Sequence, residues 1–207
     1  TVFSYGQMEE SLLMANHRLI TFEAPACELV RTSLSIESLL TKIKTALNNG
    51  DNLSLENCVH YIARLLNVTN KPELRSKYYQ TFSKTYYHLS KLTDQHSNLC
   101  EKTWSNTLTL LKVRLDGLSL EHGKFAESLR ESPFFKSYLQ CQGASEADLN
   151  YSLPGYHLWL SLDTPTKQQY LQQWLKEFDN IEAASKTLLS LVRDAEEFSE
   201  FRAENGF

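Results

Sequence analysis

The chain has 207 residues, 42% of them hydrophobic and 22% charged, so it can bury a core without a metal or disulfide staple. Its formal net charge of −4 gives no general case for nucleic-acid binding, because phosphate binding normally shows as a basic excess. Glycine (7) and proline (5) are few, which favours long helices over a strand-rich fold with many tight turns.

The four cysteines, Cys27, Cys58, Cys100 and Cys141, lie far apart along the chain. Without a CxxC pair or a histidine at ligand spacing, they predict reduced thiols rather than a disulfide framework or a metal site. No apolar run approaches the ~18 residues of a membrane helix. No basic region precedes the apolar residues near the start, so we expect neither membrane insertion nor a signal peptide, and a cytoplasmic protein.

The first part of the chain divides near residue 19. Residues 1–18 show no clear period and are interpreted as an N-terminal extension, of native or non-native origin. Residues 19–25 contain β-branched and aromatic side chains and end at Pro25, which is typical of a short strand. A single strand needs a partner, and the remaining sequence offers no obvious one.

From residue 26 to about residue 200 the apolar period is helical, which predicts a multi-helix bundle. The first helix is expected to end at Asn48-Asn49-Gly50, because these residues tolerate a left-handed cap. In the third, Tyr79, Phe82, Tyr86 and Leu89 are expected to form the inward line. The predicted helices of this part cover residues 27–48, 54–66, 72–92, 97–114 or beyond, and one or two short helices in 122–141.

Residues 152–162 form a short aromatic segment that Pro154 opens as a helix. Leu158, Trp159 and Leu162 are its candidate core contacts. A further helix is predicted to start at Thr164-Pro165. The last helix has apolar residues in steps of three and four, which indicates either core or a partner-helix interface. These residues are Ile181, Ala184, Leu188, Leu191, Ala195 and Phe198.

No catalytic motif is present: the sequence has no GxSxG, P-loop, GxGxxG or HExxH. The six histidines are never spaced i, i+4 from one another, so we expect no metal and no cofactor. The class of function that remains is the recognition of a binding partner. Folding could gather some of the basic side chains near helix ends into an anion pocket. These side chains are Arg31, Lys71, Arg75, Arg114, Lys124, Arg130 and Arg193.

His157 allows three interpretations from the residues alone. It could lie at the edge of a contact surface, or in the pocket of a helical small-molecule-binding enzyme or regulator. It could also be a buried structural histidine bonded to a backbone carbonyl. A closed apolar cavity at His157 would favour the second, and an open basic groove the first.

Several short motifs follow one another in a set order between residues 19 and 207. They are Ile20–Pro25, Arg31–Glu37, Leu65–Val68, Glu73–Arg75 and, most specific, Leu153-Pro154-x-x-His157-x-Trp159-Leu160, Trp174 and Asn205-Gly206-Phe207. In their order and spacing they resemble the ZapD family of bacterial cell-division proteins.

The resemblance implies a helical domain followed by a smaller β-rich domain. The expected fold class is therefore mainly α: a multi-helix bundle with one short N-terminal strand, forming the α-domain of an α+β protein. Residues 26–200 would be the helical domain and residues 201–207 the start of a truncated β-domain. The strand at 19–25 would pair with that missing C-terminal β-domain.

The resemblance also implies a non-enzymatic homodimer that binds the C-terminal tail of the tubulin-like GTPase FtsZ. It would crosslink or bundle FtsZ filaments at the division site, with no cofactor, nucleic acid or membrane insertion. The family's tail site is a basic pocket, and by position its partner-binding candidates here are Lys71, Arg75, Arg130 and His157. Pro133 departs from the pattern, since the family can carry another basic residue there.

Overall fold

The computed structural model describes residues 25, 27–95, 101–120, 123–141 and 153–195. Within these residues the chain is helical and contains no strand, which confirms the expectation of a mainly α fold. The helices are α1 Glu28–Asn49, α2 Asn52–Val68, α3 Leu74–Gln95, α4 Glu101–Leu120, α5 Glu127–Glu131, α6 Pro133–Gln140, α7 Pro154–Ser161, α8 Thr164–Lys176 and α9 Asp179–Ala195.

The predicted N-terminal strand lies outside the described residues, except for Pro25, which belongs to no regular element. The extension at 1–18 and the segment 201–207 also lie outside them. The strand, the domain divisions and the β-domain therefore stay predictions.

Helices α1 and α2 form the centre of the core, and the turn between them is the predicted one. Gly50 has φ +67 and its N–H donates to the Ala46 carbonyl at 3.0 Å. Asp51 then caps α2 by accepting from the Ser54 N–H at 2.8 Å. The buried stripe of α1 includes Ile36 and Ile43, as its period predicts.

The buried residues of α3 differ from the predicted inward line at one residue, since Tyr78 takes the place of Tyr79. Tyr78 is fully buried with Phe82, whereas Tyr79 is 42% exposed. The Tyr78 hydroxyl lies 2.6 Å from Ser33 Oγ on α1 and 2.9 Å from Ser185 Oγ on α9. A tyrosine can occupy the core because these serines satisfy its polar end, and the hydroxyl links three helices.

Beyond Phe82, α3 packs on α4. Its described side chains from residue 83 to 93 include none that is fully buried, and Tyr86 and Leu89 are half-buried against the core. On α4, Leu111 and Leu118 are buried, and the helix extends beyond residue 114, as the sequence allowed, to Leu120. The two helices therefore form an arm, defined here as residues 83–95 of α3 and 101–110 of α4.

The shorter helices close the other side of the core with aromatic side chains. Trp159 on α7 is buried and packs against Trp174 on α8, with ring centres 5.2 Å apart. Leu158 is 62% exposed, so its prediction as a core contact was wrong. Tyr156 and Trp159, which are three positions apart, lie on the inner face of helix α7. Residue 158 lies on the outer face.

Lys167 on α8 is fully buried and its ammonium group has three acceptors. They are Asn52 Oδ1 at 2.7 Å, Glu56 Oε1 at 2.8 Å and the Leu160 carbonyl at 3.0 Å. An ammonium group has three N–H donors, so each one is used. Helix α9 packs on α1 and buries Ile181, Ala184 and Leu188, which agrees with the core interpretation of its apolar line.

Candidate functional site

Three of the four predicted partner-binding residues lie around the connection between α2 and α3. Lys71 is in this connection, Arg75 is in the first turn of α3, and Arg130 is in α5. Hydrogen bonds from the two arginines reach backbone groups of neighbouring segments. We call this group, together with Lys124, the basic cluster.

Arg130 is anchored at the C-terminal end of α2. Its Nη2 donates to the Leu66 carbonyl and, at 2.8 Å, to Thr69 Oγ1, while Nε donates to the Phe125 carbonyl at 3.3 Å. A cation at a helix C-terminus also interacts favourably with the helix dipole. Burial lowers the pKa of Arg130, and the nearby charge of Glu127 opposes that change. Arg130 therefore supports the connection.

Arg75 is also committed to the fold, since only 9% of the residue is exposed. Its Nε donates to the Gly123 carbonyl at 3.2 Å, and its guanidinium carbon lies 4.1 Å from the centre of the Phe125 ring. That distance is typical of a cation–π contact. Arg75 thus fixes residues 123–125 against the start of α3.

Lys71 and Lys124 are the accessible cations of the basic cluster. The Lys71 side chain is 42% exposed and the bond from Lys124 to Asn70 lies at the surface, whereas the bonds of Arg130 are partly buried. Lys71 Nζ lies 2.7 Å from Glu28 Oε1, and Lys124 Nζ donates to Asn70 Oδ1 at 3.0 Å. The hydrogen bond and charge of Lys71 lower the pKa of Glu28. Exposed pairs of this kind are weak, so a partner's carboxylate can compete for the lysines.

Lys124 shows what the sequence could and could not reveal about this cluster. It stands among the basic residues near helix ends, but nothing in its spacing sets it apart from the others. Its link to Asn70 spans 54 positions, so only the fold brings it to the α2–α3 connection.

His157 is not brought into contact with the basic cluster. It is exposed on α7, and its ring makes no hydrogen bond or ion pair with any described residue. The interpretation as a buried structural histidine was therefore wrong. Position 157 follows the inward Tyr156 by one residue, which on a helix turns the side chain by about 100°.

A different histidine lies among the aromatic side chains. His60 on α2 is bonded through Nδ1 to the Tyr138 hydroxyl, and its Nε2 lies 3.3 Å from the Tyr156 hydroxyl. A groove of about 480 Å³ between α6 and α7 is lined by Phe134 and Tyr156 but not by His157. This groove therefore gives no support to the small-molecule interpretation, which needs His157 in the lining of the pocket.

The part of the chain that the structure describes contains neither a metal-binding cluster nor a membrane-spanning helix. No group of three or more His, Cys, Asp or Glu side chains in that part of the chain could hold a metal ion. None of the helices found there is long and apolar enough to cross a membrane.

Comparison with known proteins identifies the family. Residues 34–207 match the model of the ZapD family, described as a cell division protein. A "Cell division protein ZapD" of Chromobacterium violaceum is 24% identical over 188 residues, covering 91% of this chain and 74% of that protein. A protein of the same name from Vibrio cholerae is 26% identical over 188 residues, covering 90% of this chain and 75% of the relative.

The family match extends over most of the chain, including the basic cluster and α7. It confirms the resemblance that the ordered motifs indicated. The chain therefore belongs to the ZapD family of cell division proteins.

Proposed function

We propose that this chain is a non-enzymatic adaptor that binds the C-terminal tail of FtsZ and bundles FtsZ filaments at the division site in the cytoplasm. Its family supports a role in cell division. The observation that carries the tail-binding part is the basic cluster, in which the accessible Lys71 and Lys124 adjoin the anchored Arg75 and Arg130.

The two kinds of basic residue have different roles in this proposal. Arg75 and Arg130 position the connection between α2 and α3, because their hydrogen bonds hold it against residues 123–125 and the end of α2. Lys71 and Lys124 contact carboxylates of the tail as point charges. His157, which the family resemblance suggests, would act separately from the cluster.

Bundling requires two tail sites in one particle. A two-fold homodimer supplies them, because each protomer presents the same surface. Once one tail is bound, the second site faces a high local concentration of tails from neighbouring filaments. No chemical step is needed, so a binding surface alone suffices for this function.

Co-sedimentation with polymerised FtsZ tests the proposal. A variant with Lys71→Glu and Lys124→Glu should co-pellet less with FtsZ, because the reversed charges repel acidic groups of the tail. A control with Lys42→Glu and Lys176→Glu has the same change in net charge at exposed positions of α1 and α8. It should co-pellet like the unaltered chain.

FtsZ lacking its C-terminal tail provides the second arm of this experiment. It should not retain the unaltered chain in the pellet, and added salt should weaken retention on full-length FtsZ because exposed ion pairs are screened. Equal co-pelleting with tailless FtsZ would contradict tail binding. Equal losses in the two charge variants would contradict a role for the basic cluster.

A further inference from the structure

One face of α3 carries lysines at every seventh position: Lys77, Lys84 and Lys91. Seven residues are nearly two helical turns, so successive lysines differ in direction by only ~20°. They are spaced about 10 Å apart along the axis, and the line is about 21 Å long. All three residues are exposed. We call this surface the lysine face.

Most of the positive charge on the lysine face is uncompensated. Lys77 lies 3.6 Å from Glu73, but Lys84 and Lys91 form no ion pair with any residue whose side chain the structure describes. His88, which is also exposed, lies on the same side of the helix. The lysine face therefore presents two to three positive charges to solvent.

The charge of this region contrasts with that of the chain. Residues 77–93, which carry the lysine face, hold three Lys and no Asp or Glu, whereas the whole chain holds 21 Lys or Arg and 25 Asp or Glu. A negatively charged partner would thus be attracted to the lysine face despite the negative net charge of the chain.

We propose that the lysine face is a docking surface for an acidic segment of polypeptide, with carboxylates spaced about 10 Å apart. A helix with an acidic residue at every seventh position has this spacing, and so does a polyproline II segment with one at every third position, about 9 Å apart on one side. The surface contains none of Lys71, Arg75, Arg130 and His157, and the proposal does not depend on binding to FtsZ.

Nucleic acid fits this surface less well than polypeptide. Single-stranded nucleic acid is usually bound by aromatic rings on which bases stack. The ring of Tyr87, beside the lysine face, has Lys91 Nζ over it at 4.5 Å from the ring centre. Tyr79 is exposed, but it lies on α3 more than 90° away from the lysines. Tyr79 therefore lies away from the lysines, and one face of the Tyr87 ring is already covered by Lys91.

A membrane surface also fits less well. An amphipathic helix binds a membrane by inserting an apolar face between lipids. On α3, Leu74, Tyr78 and Phe82 are buried in the core. The large apolar side chains that the helix exposes, Tyr79, Tyr87 and Leu92, point in directions at least ~80° apart and form no single apolar face.

Fluorescence anisotropy with a fluorescein-labelled oligo-glutamate peptide tests the proposal on the full 207-residue chain. The peptide should bind, and added salt should weaken the binding. Lys84→Glu with Lys91→Glu should weaken it by about tenfold, because two attractions become repulsions. Circular dichroism should show that this variant keeps its helices, since both side chains are exposed.

The Lys42→Glu, Lys176→Glu variant serves as the matched control and should bind within about twofold of the unaltered chain. An equal loss in this control, or no binding of oligo-glutamate to the unaltered chain, would overturn the proposal. Tighter binding of oligothymidylate or of vesicles with anionic lipid, lost in the Lys84, Lys91 variant, would also overturn it. Failure of FtsZ co-sedimentation alone would leave these outcomes unchanged.

Discussion

The ammonium group of Lys167 lies 2.8 Å from a carboxylate oxygen of Glu56, and no part of Lys167 is exposed to solvent. Asn52 and the Leu160 carbonyl accept its other hydrogen bonds at 2.7 and 3.0 Å. This group ties α8 to the start of α2 and the end of α7. A buried charge is tolerated only when its donors are satisfied in this way.

Replacing Lys167 with methionine should therefore destabilise the protein. The variant keeps most of the side-chain volume but leaves Glu56 and Asn52 without their shared donor. We expect a loss of about 2–4 kcal/mol in the free energy of unfolding, measured by urea denaturation. Lys176→Met, on the exposed side of the same helix, should change it by less than about 0.5 kcal/mol. Equal effects would contradict the role of the buried pair.

Arg130 should prove to be a stability residue. Arg130→Met removes donors to the Leu66 carbonyl and Thr69 Oγ1 at the end of α2. The expected loss is about 1–3 kcal/mol in the free energy of unfolding. Arg64→Met, at an exposed position of α2, should be nearly neutral. An Arg130 variant of unchanged stability that lost FtsZ binding would instead place Arg130 in direct contact with the tail.

Lys71 should control the ionisation of Glu28. The hydrogen bond from Lys71, followed by its charge, lowers the pKa of Glu28. In Lys71→Ala this pKa should rise towards its ordinary value, as measured by NMR titration of the side-chain carboxyl. Glu73 provides an internal comparison: its lowered pKa arises first from a hydrogen bond to its own backbone, so it should rise less.

The sign of the pH effect follows from that lowered pKa. The folded state binds the Glu28 proton more weakly than the unfolded state does. Stability from the Lys71–Glu28 pair is thus present above the unfolded pKa and is lost as the pH falls through the folded pKa. A pH-independent contribution of the pair would contradict this.

Cys58 should be unreactive in the folded protein. Burial, with a smaller effect from Asp51, raises the pKa of its thiol to about 12. At pH 8 the thiolate should be about a thousandfold rarer than for an ordinary cysteine. A variant that retains only Cys58 should react with Ellman's reagent only after unfolding, whereas one that retains only Cys27, which is exposed, should react at once. Fast reaction of native Cys58 would contradict its burial.

The raised pKa also fixes the direction of a stability change at alkaline pH. The folded state holds the Cys58 proton more tightly than the unfolded state, in which the thiol ionises near pH 8.5. The buried, protonated thiol of Cys58 contributes fully to the free energy of unfolding below that pH. This contribution should be lost as the pH rises towards about 12.

The sequence predicted the helices well because apolar residues at helical spacing report directly on a buried face. The α1 stripe and the Gly50 turn are examples, and both depend on residues close together in the chain. The inward position of Tyr78 was not predictable in this way. Its hydroxyl needs Ser33 and Ser185, which lie 45 and 107 positions away.

The candidate site was harder to predict than the fold. The structure brings Lys71, Arg75 and Arg130 to one region, and their binding role stays a prediction, whereas the division between anchored arginines and accessible lysines depends on burial. Nothing in the sequence distinguishes Lys167 from a surface lysine. Its acceptors Asn52 and Glu56 are more than 100 positions away and reach it only through the fold. His157 was prominent in the sequence because of its aromatic neighbours, yet the fold turns those neighbours inward without it.

The length of helix α3 has a mechanical consequence for the fold. Its 22 residues form one rod about 33 Å long, fixed at one end where the Tyr78 hydroxyl joins α1 and α9, while the arm carries Lys91 near the other. A load applied to the arm is therefore delivered as torque to the three-helix junction at Tyr78. That junction should be where the protein first yields when it is pulled through its arm.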